Sequence, residues 1–299
     1  EIASPQPEQA VNVVYEFGND EDDVFEKTFE YAVVGTCKTL EKRYFRLTSA
    51  PDASLVRPEP VLKKWLAELE SIWAAKSKDW KYVEDQMRSI RQDLTVQNLR
   101  GKLTMRVYEL NARWALESGD LGQFNQCQTQ LKQLHVDFSD TSCEFISYRL
   151  LYYYYQNLRI DEQIFLKFIY ENPEIHNHPY VQYALQIRSA ATTNNFTKYW
   201  ADSYSVSCKP ASHIHFLMKA FEERQRVFAL LVLTKAFVTQ ISIEWIATVI
   251  GFKTDVDACR NFLTLHGTVY KNNDAIDPKA SHSVYAENPI LMSTKLKLM

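Results

Sequence analysis

Apolar positions between residues 83 and 114 recur at helical spacing. Val83, Met87, Ile90 and Leu94 step by four, three and four, which draws one stripe along a helix. Arg88, Arg91, Gln92 and Thr95 line a second, polar face of the same helix. Gly101 interrupts the pattern, and Leu103, Val107, Leu110 and Trp114 then repeat the same spacing. So short a break predicts two helices folded back as an antiparallel hairpin.

The same alternation of stripe and break continues from residue 59 to about 237. Arg113, Ala115, Gly119-Asp120, Leu121 and Phe124 return 75 residues later as Arg188, Ala190, Asn194-Asn195, Phe196 and Tyr199. Midway lies Tyr155-Gln-Asn157-Leu-Arg-Ile-Asp161, another polar turn between apolar stripes. The period of about 37–38 residues is near the ~34 of tetratricopeptide helix pairs. One such pair cannot bury its apolar face alone, so the pairs must stack. The Tyr152–Tyr155 run fits such a stack, with base stacking as the alternative use of the rings.

Upstream, residues 24–58 are punctuated by Gly35 and Pro51, which predicts helix, short helix and loop. Residues 1–23 lack helical periodicity and are expected to be an acidic flexible arm, or a short strand that docks on the body or on a partner. Downstream, Ile243, Ile246, Ala247 and Ile250 form a stripe behind Ser242 as N-cap, and Gly251-Phe252 closes it. Thr254-Asp-Val-Asp257 reads as a capping box for a second helix with Val256, Cys259, Phe262 and Leu263 inward. His266-Gly267 ends that helix, and 268–276 supplies two short strands around Asn-Asn-Asp. Helix, turn, helix and hairpin over 238–275 make a winged helix. The tail, 276–299, is either a final packed segment or a mobile basic end. The predicted fold is mainly α: a helical, tetratricopeptide-like solenoid over 24–237, capped by the winged helix.

Composition supports this. Seven glycines and ten prolines in 299 residues are too few for turn-rich β architecture. No apolar run approaches the length of a membrane span. The chain begins at Glu1 rather than Met, as expected of a piece of a longer protein. Five cysteines, none spaced Cys-x-x-Cys, read as reduced, mostly buried thiols of a nuclear or cytosolic protein. The net charge of −3 is unevenly spread. Residues 1–30 hold nine acids against Lys27 alone, which leaves the remainder at +5. Within it, 38–64 carries seven basic groups against three acids, whereas 133–180 carries three against seven. A basic surface can recruit nucleic acid even on an acidic chain.

Three stretches carry a resemblance. They are Leu40-Glu-Lys-Arg-Tyr-Phe-Arg-Leu-Thr-Ser-Ala-Pro-Asp52, Arg88-Ser-Ile-Arg-Gln-Asp-Leu-Thr-Val-Gln97, and Gly119-Asp-Leu-Gly-Gln-Phe-Asn-Gln-Cys-Gln-Thr-Gln-Leu131. Together they resemble the GANP-like branch of the PCI-domain proteins, the scaffold subunits of the proteasome lid, the signalosome and translation initiation factor three. The resemblance implies a right-handed solenoid with a winged-helix cap and a nuclear role in messenger-RNA export, transcription elongation or splicing. It also implies pairing with a second, signalosome-like PCI protein, and through that partner a small acidic proteasome-lid protein. PCI winged helices pair edge to edge, which puts the partner interface at Thr268, Val269, Tyr270 and Lys271, where a strand edge would otherwise stay open.

No catalytic constellation is present: no glycine-rich phosphate loop, no Gly-x-Ser-x-Gly and no His-Glu-x-x-His. His176 and His178, like His213 and His215, are spaced two apart, which does not bring both onto one helix face. Neither enzyme activity, cofactor nor metal is expected. Lys42, Arg43, Arg46, Arg57, Lys63 and Lys64 cluster within 23 residues. They read either as a phosphate-binding strip or as salt-bridge partners of neighbouring helices, especially of the acidic residues 20–30. Arg88 and Arg91 read as structural, bridging adjacent hairpins through carboxylates such as Asp93. In the winged helix Lys253, Arg260 and Lys271 are interleaved with acids, so backbone contact to RNA or DNA is expected rather than base reading. The alternative is a purely structural PCI subunit of a lid-like or signalosome-like assembly that binds no nucleic acid.

Overall fold

The computed structural model describes residues 33–47, 52–137, 142–203 and 213–295. The acidic arm expected at 1–23 lies outside the described residues. The chain forms two compact units: one runs to Ser118 and includes Gly122–Phe138, and the other holds Gly119–Leu121 and everything from Ser139.

In the first unit, α1 (Glu59–Ala74), α2 (Trp80–Val96), α3 (Lys102–Ser118) and α4 (Leu121–Asp137) follow a short 3-10 turn at Ala53–Leu55. The predicted α2 stripe is fully interior, with Val83, Met87, Ile90 and Leu94 at most 1% exposed. It meets Leu62, Trp65, Leu66 and Leu69 of α1 and Val107 and Trp114 of α3 in one core. Trp73 stacks on Trp114 at 5.4 Å and donates its indole N–H to Glu117 Oε2 at 2.9 Å.

The helix expected before Gly35 lies outside the described residues, apart from its last two, and among the described residues 36–47 the short helix after it does not form. Residues 33–47 are a non-helical strap lying along α2. Its backbone groups find partners outside any helix ladder. Thr36 N donates to Ala53 O and Cys37 N to Val56 O, both at 2.9 Å. Gly35 is obligatory there because a Cβ would stand 2.4 Å from the Val56 carbonyl oxygen.

In the second unit, α5 (Cys143–Tyr155) packs on α6 (Arg159–Glu171), α8 (Pro179–Thr192) and α10 (Ile214–Ala220). The short α7 (Pro173–His176) and α9 (Phe196–Ser203) complete the helical pairs. The predicted repeat has a backbone signature. Gly119, Asn157 and Asn194 all take positive φ, at 76°, 59° and 55°, each two residues before the next helix begins. Left-handed residues of this kind end a helix and free the chain to turn, and Gly and Asn tolerate them best. Tyr152 and Tyr155 of the tyrosine run are interior. Tyr155 stacks on Phe221 at 4.7 Å and shares a 2.7 Å hydroxyl contact with Tyr199, so these rings serve packing.

The terminal block runs α11 (Glu222–Ala236), β1 (Ile241–Ser242), α12 (Ile243–Val249), α13 (Val256–Leu265), β2 (Tyr270–Asn272), β3 (Ala275–Ile276), α14 (Pro278–Ala286) and α15 (Pro289–Lys295). The hairpin forms as expected, but β1 adds to it, giving an antiparallel sheet in the order β1-β3-β2. Two capping assignments change. Ser242 sits at the N-cap position without a side-chain bond, and α13 is capped by Asp255, whose carboxylate accepts from Ala258 N at 2.9 Å, rather than by Thr254. As far as Lys295, residues after 275 form packed helices, with α14 against α11 and the Tyr285 ring fully interior. Arg226 of α11 ties this block to α9: its guanidinium lies 5.2 Å from the Trp200 ring and 4.0 Å from Phe252, and its Nε donates to Ile250 O at 3.1 Å.

Candidate nucleic-acid interface

The six basic residues expected as a strip divide into two sets. Arg57 is wholly buried, at 0% exposure. Its Nε donates to Asp93 Oδ2 at 2.6 Å, Nη1 to Leu40 O at 2.6 Å, and Nη2 to Ser89 Oγ at 2.9 Å. Lys42 reaches the other oxygen of the same carboxylate, Nζ to Asp93 Oδ1 at 2.6 Å, and also donates to Leu55 O at 2.7 Å. Both residues therefore leave the phosphate-binding set: in the fold their charges are spent on an interior acid. A buried carboxylate is tolerated because its two oxygens meet two cations and further donors.

The same face of α2 binds the strap. Gln86 Oε1 accepts from the Lys42 main-chain N at 3.3 Å and from Trp65 Nε1 at 3.2 Å. Gln92 Nε2 donates to Phe45 O at 2.7 Å, and Asp85 Oδ1 accepts from Tyr44 N at 3.4 Å. Gln97 bridges three backbones, accepting from Gly35 N at 3.1 Å and donating to Arg57 O and Asp93 O at 2.8 Å each. Residues 40–47 and 85–97 thus meet as one polar seam. Sequence reasoning missed Gln86, Ser89, Asp93 and Gln97 as its anchors. The available signal was a helix carrying uncharged polar residues on positions next to its apolar stripe.

Arg43 and Arg46 are exposed on the strap. Lys63 and Lys64 are exposed on α1, Lys63 with its Nζ 2.7 Å from Glu59. These four remain accessible to a ligand. Arg88 and Arg91 are structural, though not through Asp93. Arg88 pairs with Glu84 at 3.3 Å and covers the Tyr44 ring at 4.9 Å, while Arg91 donates Nη2 to Gln123 Oε1 of α4 at 2.8 Å.

In the terminal block Lys253 and Lys271 are exposed. Arg260 is half-buried, donating Nη1 to Asn273 O at 2.5 Å with Asp274 at 4.0 Å, so it braces the hairpin turn. Of the expected partner edge, Thr268 faces inward at 8% exposure, its hydroxyl donating to Leu263 O at 2.6 Å and bonding the Tyr285 hydroxyl. Tyr270 turns its hydroxyl back onto α13, to Thr264 Oγ1 and Arg260 O. Val269 and Lys271 keep exposed side chains. A second exposed apolar group stands at the other end of the sheet. Phe237 and Trp245 make an edge-to-face pair at 5.2 Å, 40% and 42% exposed, beside Val238 at 88%.

Among the described residues no cluster of three or more His, Cys, Asp or Glu side chains could hold a metal. No helix among them is long and apolar enough to cross a membrane. Cys127 and Cys259 are buried and form no disulfide, and burial pushes the Cys259 thiol up to about 11. Cys37 and Cys143 are half-buried, and Cys208 lies outside the described residues.

The SAC3/GANP family profile matches residues 23–272. A THP3 homolog of Schizosaccharomyces pombe is 38% identical over 244 residues, which cover 81% of this chain and 60% of that protein. A leukocyte receptor cluster member 8 homolog of Xenopus laevis is 36% identical over 258 residues, 85% of this chain and 31% of that protein. Protein THP3 of Saccharomyces cerevisiae is 30% identical over 239 residues, 77% of this chain and 49% of that protein. The chain therefore spans less than two thirds of the length of each of these relatives. Because the profile runs across the strap, the α2 seam, the helical pairs and the helix–turn–helix as far as β2, the chain belongs to the SAC3/GANP family.

Proposed function

We propose that the chain is a non-catalytic nuclear scaffold of messenger-RNA biogenesis, in transcription elongation, splicing or export. It pairs with a second PCI-domain protein and binds RNA, with DNA as a further ligand. The observation that carries the reading is the terminal block. Its order of helix, strand, helix, turn, helix and hairpin supports reading it as a winged helix that follows a run of helical pairs, as the PCI architecture requires. It presents exposed apolar side chains beside exposed lysines, a combination suited to a protein partner and a phosphate backbone together. A signalosome-like PCI subunit is the partner this reading assigns, and a small acidic proteasome-lid protein joins through it.

One observation favours the alternative, a purely structural subunit without nucleic acid. With Lys42 and Arg57 committed to Asp93, the upstream strip keeps only Arg43, Arg46, Lys63 and Lys64. Gel retardation of labelled single-stranded RNA at low salt, by the chain alone and with its PCI partner, decides between the two. Retardation whose affinity falls steeply with salt supports the proposal, and its absence in both samples supports the structural subunit.

A further inference from the structure

Ile160, Ile164 and Phe168 recur every four residues along the outer face of α6, and they are 75%, 65% and 41% exposed. The inward face is a separate set. Phe165 and Ile169 are buried where α6 packs on α5, and Glu162 pairs there with Arg188 of α8. The solvent face of a surface helix ordinarily carries polar side chains, and a contiguous exposed apolar row marks an interaction surface. Phe168 stacks on Phe165 at 5.9 Å, so the row is anchored to the packed side of its own helix.

Charge along this row is acidic on balance. At about 100° per residue, Asp161 stands about 60° to one side of Ile164 and Lys167 about 60° to the other, with Glu171 almost in line. Lys167 Nζ lies 3.7 Å from Glu171, so those two charges offset each other. Asp161, and Glu174 just beyond the helix, are exposed and add negative charge. Arg159 lies about 140° from Ile164, off the row, and donates its Nε to Asn157 Oδ1 at 3.2 Å. The row also runs toward the C-terminal end of α6, where the helix dipole itself favours a cation.

These features select the occupant. A ridge of side chains four residues apart fits the groove of a second helix, whereas a helix offers no sheet edge to an extended segment. Nucleic acid, an anionic membrane and a second copy of this chain would each bring negative charge against Asp161 and Glu174. A helix with basic flanks complements them. We propose that the outer face of α6 is a docking site for an amphipathic helix of a partner protein. The apolar row of that helix lies on Ile160, Ile164 and Phe168, and its basic flanks face Asp161 and the Glu171–Glu174 end. The surface is on a different element from the terminal block, to which the scaffold reading assigns the PCI partner, and it requires neither that partner nor RNA.

A labelled model helix of leucine and lysine, about five turns long with leucine along one face, is the probe, and its leucine–glutamate counterpart is the control. Fluorescence anisotropy with the full chain should show the lysine helix binding about tenfold tighter than the glutamate helix, the preference shrinking as salt rises. Ile160→Ser/Ile164→Ser should weaken binding about tenfold or more while the melting temperature holds, because both side chains are exposed. Asp161→Lys/Glu171→Lys should reverse the preference between the two helices. Methyl NMR of the isoleucines should place the lysine-helix shifts at Ile160 and Ile164. Absence of binding, equal affinity for the two helices, or unchanged affinity in the serine variant would overturn the proposal. So would shifts at these two methyls that arise on concentrating the protein alone, or on adding single-stranded RNA, rather than on adding the lysine helix.

Discussion

Arg57 and Asp93 are 36 residues apart in the chain, and their side chains meet at 2.6 Å in the interior, both at most 1% exposed. Asp93 also holds Lys42, so one carboxylate joins the strap, the segment entering α1 and the last turn of α2. Replacing Asp93 with Ala strands the Arg57 charge and should cost about 3–5 kcal/mol of unfolding free energy. Arg57→Lys should also destabilise, because a single ammonium cannot reproduce the three directed bonds to Asp93, Leu40 and Ser89. Combining Asp93→Leu with Arg57→Met should cost less than the sum of those same two substitutions made singly, since the pair is then removed without leaving Arg57 or Asp93 buried and unpaired. Urea unfolding of the three variants checks this, and additive losses would show that the pair is not coupled.

Gly35 tests the strap from the backbone side. A methyl group there meets the Val56 carbonyl, a rigid neighbour, so Gly35→Ala should destabilise by about 1–3 kcal/mol. Hydrogen exchange should quicken first at Thr36 and Cys37, whose amides pair with the 53–56 segment. Unchanged exchange at these two amides would mean that the strap adapts.

Charge reversal separates ligand contacts from structure. Changing Arg43, Arg46, Lys63 and Lys64 together to Glu should weaken RNA binding for all sequences and flatten its salt dependence, by about 0.7 in slope per lost contact. Lys253→Glu with Lys271→Glu should do so to a smaller extent. Arg91→Ala, which loses its bond to Gln123, should lower the melting temperature and leave the salt slope alone.

Pairing should depend on exposed apolar side chains rather than on Thr268. Val238→Lys with Trp245→Lys should weaken partner co-purification about tenfold or more while the melting temperature holds, because both side chains are exposed. Thr268→Val should do the opposite, losing stability through its bonds to Leu263 O and Tyr285 and keeping the partner. Deleting everything after 237 is the poorer test. It strips α14 from α11 and exposes apolar core, so lost pairing would not separate interface from fold.

His266 gives the fold a pH dependence of known sign. Burial holds its pKa below the ordinary histidine value, with Glu223 at 3.4 Å opposing the shift. The unfolded chain therefore binds a proton more readily than the folded one. The stability contribution is fully present above the ordinary value near 6.5 and is lost as pH falls through the lowered folded value. Unfolding free energy measured from pH 7.5 to 5 should show this loss, and it should flatten in His266→Gln.

Helices, turns and hairpin were legible because they are written in local periods. The Val83, Met87, Ile90 and Leu94 stripe is interior in the structure, and the Gly119, Asn157 and Asn194 turns share one backbone conformation. Spacing and backbone sterics alone impose these, whatever lies elsewhere in the chain. The stretches that resemble the family could likewise be read as strings, and they placed the chain among relatives before any contact was known. What each charge does was not legible. Lys42 and Arg43 are neighbours in sequence, yet one is spent on Asp93 and the other faces solvent. The strap has no period of its own, since its backbone partners are side chains on α2 more than 40 residues away. Thr268 looked like a strand edge until α14, in a tail with no distinct pattern, covered it with Tyr285. Such assignments depend on burial and on partners distant in the chain, and these exist only once the tertiary structure has formed.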